Sequence, residues 1–460
     1  MKLKYHNLKL LCLTLLLMIG ASGLHAVDPT GVTINGLEVA DGAPPSAGWS
    51  YDPSTSKLTI NGAGPFTISG ENTTGKVCVV VSTGITTEIT LSNLTLRATS
   101  NDRCAFALET NANVSLFLAG ENIFKSGLNR AGLEVPAGAT LSITYAPDDT
   151  EGAIYSYGGN WAAGIGSGPS GATGAITING GAVAAQGGHY AAGIGAGNQG
   201  TAGSLTVNGG NVVAIGYNYG AGIGGGRNSS GGTVLITGGS VIAEGGYHGA
   251  GIGGGGSYDS GNGGNGGTVT ISGGRVAAYG SFSAAGIGGG GSYYNLGGDG
   301  GTVTISGGTV FAQGYANSAD IGPGCNGNNG SNIFTGGSIS LAALSASPAP
   351  TNNTNSVGCA VVSGFEPNAA VTITGLSGYG VNDIFADNSG CIYLWLPDGT
   401  YTFDANERNC TVEIQDGVGP MGVTVNGDDI AFGPTGGDGW NYNADTHILT
   451  LSGDGPFTLS

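Results

Sequence analysis

Between Gly158 and Gly324 the chain alternates short apolar–polar runs with glycine pairs, and the pattern returns on a fixed schedule. Isoleucines flanked by glycine recur at Ile165, Ile194, Ile223, Ile252 and Ile287, with Ile321 as the Asp-Ile-Gly version, and the first three steps are each 29 residues. A second marker, the last apolar residue of a Thr-Val-Thr-Ile type run, falls at Ile178, Val207, Ile236, Ile271 and Ile305, always 16 residues before the next isoleucine of the first set. The complementary interval is 13 residues three times, then 19 and 18, so the added length lies in one loop, exemplified by Ser257 to Gly267. Insertions confined to one corner are what stacked coils tolerate.

Within one repeat, Thr268-Val269-Thr270-Ile271-Ser272 alternates, Gly273-Gly274 is expected to turn the chain, Val276 and Ala278 alternate again, and Gly280 precedes Ala285-Gly286-Ile287. Alternation at period two predicts strands, here three short ones per repeat, with Val269, Ile271, Val276, Ala278 and Ile287 inward. Glycine pairs at this density exclude helix, since each costs about 1 kcal/mol in a helix interior. One coil cannot bury such a face alone, whereas a stack can. The predicted fold is therefore all-β: a parallel β-helix with coils of about 29–35 residues, followed by a small β-sandwich-like domain.

The flanks fill in the organisation. Residues 27–76 are expected to form an N-terminal module or cap, and residues 77–343 the β-helix, with the glycine-coded repeats at 158–324. A Ser/Pro/Asn/Thr-rich linker follows at 344–356, then the small sandwich at 357–420 with a hairpin over Leu396-Pro397-Asp398-Gly399 to Phe403. Residues 421–460 begin a second copy of the N-terminal module: Gly439-Trp440 repeats Gly48-Trp49, and Gly455-Pro456-Phe457 repeats Gly64-Pro65-Phe66.

Residues 1–26 change the setting. Lys2, Lys4 and Lys9 precede an apolar run from Leu10 to Ile19 and a small-residue end at Ala26, the pattern of a secretory signal peptide, so the protein is expected at the cell surface or secreted. The run is too short to span a bilayer, and no transmembrane segment is expected elsewhere. Without the leader, nine basic residues stand against thirty acidic ones, a formal charge of −21, which disfavours nucleic acid and anionic membranes as partners. Glycine makes up about a fifth of the chain without a period of three, which excludes collagen. Cys78, Cys104, Cys325, Cys359, Cys391 and Cys410 are expected to form one or two structural bridges in an exported protein, and their spacing does not suggest a metal site.

Candidate chemistry is concentrated in one column. Four residues before the isoleucines stand Trp161, Tyr190, Tyr219 and His248, while the adjacent position carries His189, Tyr247 and Phe282. Rings one coil apart can stack on successive sugar faces of an extended glycan; equally, they can stack on each other and merely tie the coils together. The outward Ser204, Thr233, Thr268 and Thr302 read as the ordinary polar exterior of a half-buried strand. No cofactor is expected. Loop oxygens at Asp259, Asn262, Asn265 and Asp299 are the candidate Ca²⁺ ligands, although Gly297-Gly298-Asp299-Gly300-Gly301 departs from the calcium-repeat pattern. No catalytic residues are identified. Between Gly158 and Gly324 the basic residues are Arg227 and Arg275, the acids Glu244, Asp259, Asp299 and Asp320 do not share a column, and no nucleophile elbow, His-Glu-x-x-His or phosphate loop occurs.

The Ala250-Gly251-Ile252-Gly253-Gly254-Gly255 and Thr268-Val269-Thr270-Ile271-Ser272-Gly273-Gly274 motifs, and the Gly120-Glu121-Asn122 to Pro136 segment, resemble those of large Gly-rich β-helix repeat proteins secreted or displayed by gut bacteria. Such proteins are often described as carbohydrate-binding or adhesin-like. The expectation is thus a non-catalytic binding or adhesion protein that recognises polysaccharide, or a host or cell-surface glycan, through Trp161, Tyr190, Tyr219, Tyr247, His248 and Phe282. A ligand-free structural stalk is the alternative, and a β-helix polysaccharide-degrading enzyme a more distant one.

Overall fold

A computed structural model of the chain describes residues 29–414 apart from 41–47, 260, 316, 342–349, 353 and 380–383, and beyond them only the backbone of five short strands between 424 and 451. The expected leader at 1–26 lies outside the described residues, as does most of the expected linker.

The repeats stack as a parallel β-helix, as their periodicity predicts. On one face the Ile-Gly pairs form two-residue strands in register, Ile165 against Ile194, then Ile223, Ile252, Ile287 and Ile321. This sheet continues back through Leu133–Glu134, Phe106–Leu108 and Cys78–Val81 to Lys57–Ile60, ten parallel rungs among the described residues, or roughly 45 Å at about 4.8 Å per rung. The other strands of each coil join one long sheet, where Val269, Ile271, Val276 and Ala278 align with Val303, Ile305, Val310 and Ala312. All of these side chains are buried, together with Ile287. Burying one such isoleucine is worth about 1.5–3 kcal/mol, and every coil repeats the gain.

One local expectation changes. Gly273-Gly274 does not end a strand: Thr268–Tyr279 runs continuously, with a register irregularity between Ile271 and Arg275 that bends it. In earlier coils the same bend separates two strands, as at Ala175–Ile178 and Ala182–Gln186. The glycine after each isoleucine has a sharper reason. Gly253 adopts a φ of 135°, and a Cβ there would lie 2.0 Å from the Gly288 carbonyl oxygen of the next rung. Only glycine lets the rungs close at that corner.

At the N-terminal end the antiparallel hairpins Pro29–Ile34/Leu37–Ala40 and Trp49–Asp52/Lys57–Ile60 cover the core. The same segment supplies the first rung, since Lys57–Ile60 and Phe66–Asn72 pair in parallel with Cys78–Val81 and Thr86–Arg97. At the other end Gly358–Val362 pairs with Ile392–Leu396, and Ile373–Thr374 with Gly399–Ala405 and Arg408–Ile414, around a core of their own that includes Ile373, Leu394 and Phe403. The hairpin is not where the sequence placed it. Pro397-Asp398 passes the chain from one sheet to the other, and Asn406-Glu407 closes the hairpin instead.

This unit seals the last coil. Trp395 donates its indole N–H to the Ile339 carbonyl at 2.9 Å and meets the Phe334 ring edge-on at 5.5 Å, while Thr351 pairs its backbone with Phe334 and Asn332. The expected disulfides are not formed, for Cys78, Cys104, Cys325, Cys359, Cys391 and Cys410 are all free.

Candidate functional site

The aromatic column lies on a corner made by four-residue turns, each closed by a backbone hydrogen bond such as Ala162 N–H to Gly159 at 3.0 Å and Ala191 N–H to Gly188 at 3.0 Å. The third residue of such a turn needs a positive φ and is usually glycine or asparagine. Asn129 fills it in an earlier coil, and Ser283 and Asn317 fill it in later ones. Between them the chain places Trp161 at φ 70°, Tyr190 at 69° and His248 at 63°. A left-handed conformation costs an L-residue roughly 1–2 kcal/mol, and bulky rings are outliers there. In the Tyr219 turn the positive φ moves to Asn218, so Tyr219 itself is unstrained.

Eleven rings form one continuous network along this corner. An inner row runs Tyr190, Tyr219, His248, at centroid separations of 5.7 and 5.8 Å, the last pair stacked at 5°. An outer row runs Tyr247, Phe282, Tyr315 at 4.5 and 4.7 Å, with His189 and Tyr217 paired at 5.6 Å a little further along. The structure thus brings together Tyr190, Tyr219, Tyr247, His248 and Phe282. Trp161 stands on the same corner but apart, exposed and without a ring contact among the described residues.

The predicted residues divide by exposure. Tyr219 and His248 are buried, at 8% and 4%, and serve as the backing of the surface; Tyr247, Phe282 and Trp161 present open faces. Sequence reasoning missed Tyr258, Tyr293 and Tyr294, all exposed, which reach this surface from the two enlarged loops. Those loops stack: Ser257 and Ser292 form a parallel bridge, and Tyr258 lies 5.7 Å from Tyr293. The available signal was the Gly-Ser-Tyr that opens both insertions, Gly256-Ser257-Tyr258 and Gly291-Ser292-Tyr293.

Electrostatics keep the corner neutral. Burial, reinforced by neighbouring tyrosines, pushes the Tyr219 hydroxyl up to about 12, so it stays protonated. The Arg227 guanidinium sits 4.8 Å over the Tyr190 ring and pairs with Asp259 at 3.4 Å. Asp259 also accepts from Asn228 and Ser257, and Asp299 from Asn328, so these loop carboxylates are already engaged by the protein. Among the described residues no three His, Cys, Asp or Glu side chains gather as a metal site.

Burial lowers the pKa of His248 below the ordinary 6.5, and the Phe282 backbone beside its ring offsets this only in part. The folded state therefore binds fewer protons here than the unfolded chain. The contribution of this residue to stability is full above about pH 6.5 and is lost as pH falls towards the folded value. Melting temperature should drop between about pH 7 and pH 5 more steeply for the native chain than for His248→Asn, whose side chain suits the positive φ. Parallel pH profiles would remove His248 from this account.

A second test concerns strain. Trp161→Asn should raise folding stability by about 1 kcal/mol, measured by urea denaturation, because asparagine relieves the left-handed turn and no ring contact is lost. A loss of stability would show that Trp161 holds the coils together.

A family model described as Beta helix repeat matches residues 176–198, 205–227, 234–256 and 265–291. No curated protein and no solved structure matches the chain. The matched segments run from the first strand of a coil through its aromatic turn and Ile-Gly rung, so the strained turns at Tyr190 and His248 lie within the recognised repeat, while Trp161 precedes it. The chain is a parallel β-helix repeat protein, similar to that family over these four consecutive coils.

Proposed function

We propose that the protein is a non-catalytic, extracellular binding or adhesion protein that holds a polysaccharide along the aromatic corner. One observation carries this reading: Trp161 and Tyr190 occupy left-handed turn positions that neighbouring coils fill with the less costly Asn129, Ser283 and Asn317. Strain retained at the exposed Trp161 and the half-buried Tyr190 is accounted for by a task at the surface, since asparagine serves the turn itself as well. Tyr247, Phe282, Tyr293 and Tyr294 add open apolar faces at the spacing of stacked coils, and a sugar ring offers C–H groups to such faces. The leader pattern supports an extracellular setting.

The protein without its leader, passed over insoluble neutral polysaccharides, should be retained on at least one and should release no reducing ends from it. Retention on none would favour the ligand-free stalk; released ends would favour an enzyme.

The stalk reading has an observation of its own. Thr424–Val425 pairs with Asp428–Asp429, and Trp440–Asn443 with Ile448–Leu451, in the same registers as Thr33/Glu38, Ile34/Leu37 and Trp49–Asp52/Lys57–Ile60. A module that opens one β-helix thus recurs after the C-terminal unit, as a rod built from successive β-helices requires.

A further inference from the structure

The outward columns of the long sheet are not uniformly polar. Ala184, Val213, Ile242, Ala277 and Phe311 align across successive coils on the solvent side, and Tyr279 lies beside this stripe with its ring 5.6 Å from that of Phe311. The stripe runs into a cleft of about 540 Å³ between the β-helix and the C-terminal unit. Clefts of this size, lined by apolar groups with a few fixed polar ones, are the usual form of a small-ligand site.

The two walls differ. The β-helix wall offers Ile242, Phe311 and Tyr279, all wholly or partly exposed. The opposite wall carries Asp387, whose carboxylate is fixed by the Ser389 and Cys391 N–H groups at 2.8 and 2.9 Å and by the Tyr393 hydroxyl at 2.7 Å. Arg275 lies 4.6 Å over the Phe385 ring and donates to Asn368 at 3.1 Å. The walls are tied together, for Thr309 accepts from the Phe385 N–H at 2.7 Å and Ser338 from the Tyr393 N–H at 3.0 Å.

We infer that this cleft binds a neutral mono- or disaccharide unit, with one sugar face against Phe311 and Tyr279 and its hydroxyls towards Asp387 and Asn388. The polarity of the walls selects that chemistry. An alkyl chain would strip the remaining water from the half-buried Asp387 carboxylate and from Asn388 and offer neither a new partner, which is costly. An anion would meet that carboxylate and a chain of formal charge −18 before the leader is removed. Arg275 and Asp387 leave the cleft without net charge, which suits a neutral ligand carrying both donors and acceptors. This site is separate from the aromatic corner and does not depend on it.

The test uses the full chain without its leader, carrying Trp161→Ser, Tyr247→Ser, Phe282→Ser and Tyr293→Ser so that the corner cannot contribute. Saturation-transfer NMR with cellobiose, maltose, lactose and mannobiose should show transfer to at least one, weakened at least about tenfold in affinity by Phe311→Thr with Tyr279→Thr. Threonine is an ordinary outward strand residue, and unchanged circular dichroism would confirm that the fold is kept. Transfer to none of the four, transfer unaffected by the two threonines, or transfer to octanoate alone would each overturn the inference. A disaccharide bound only when the corner is intact would do the same, while leaving the corner reading in place.

Discussion

Replacing Tyr247, Phe282 and Tyr293 together by serine is expected to abolish retention on the polysaccharide that the native chain binds. Each aromatic stack contributes about 0.5–1.5 kcal/mol beyond area, so three rings amount to a loss of roughly tenfold to a thousandfold in affinity. All three side chains are exposed, and the backing rings Tyr219 and His248 remain in place. Folding stability should fall by only about 1–3 kcal/mol, for the contacts these rings make with their neighbours, and the chain should stay folded. Affinity electrophoresis in polysaccharide gels, paired with urea denaturation, separates the outcomes. Undiminished retention would remove the corner as the binding surface, and lost retention together with loss of the cooperative unfolding transition would make the rings structural ties.

Gly253→Ala should be among the most damaging single changes available. The added Cβ meets the Gly288 carbonyl oxygen at 2.0 Å, and the φ of 135° excludes other L-residues. Backbone strain and overpacking together predict a loss of about 2–6 kcal/mol. Gly36→Ala is the control: its φ is 76°, but nothing lies within 4 Å of a Cβ there, so it should cost only about 1–2 kcal/mol. Because each coil contacts chiefly its neighbours, amide exchange should accelerate first in the rungs around Ile252 and Ile287. Equal losses in the two variants would contradict the account of why glycine follows each isoleucine.

The solenoid was legible because its core repeats. Ile165 to Ile321, and the Val269/Ile271 and Val276/Ala278 pairs, each return at fixed spacing, and a buried position tolerates little variation in size. The outward positions follow no such constraint. Ala184, Val213, Ile242, Ala277 and Phe311 each fall six residues after the markers Ile178, Val207, Ile236, Ile271 and Ile305, so their column follows the period, but side chains of such different size give no sign that they form one outward apolar stripe until the strands are paired.

The site was half legible for the same reason. Tyr190, Tyr219 and His248 follow the period, whereas Tyr258 and Tyr293 sit in inserted loops that break it. The left-handed turn was hidden because Trp161, Tyr190 and His248 are not residues from which a positive φ is expected, while Asn129 and Asn317 in neighbouring coils are. The C-terminal hairpin was misplaced because Pro397-Asp398-Gly399 is turn chemistry that serves equally to cross between sheets.

The most direct measurement is hydroxyl-radical footprinting of the native chain, free and bound to the polysaccharide that retains it. The corner reading predicts protection of Trp161, Tyr247, Phe282, Tyr293 and Tyr294, with Tyr51 at the N-terminal end and Tyr401 in the C-terminal unit unchanged. Protection confined to the ends of the β-helix, with the corner rings still fully reactive, would contradict it.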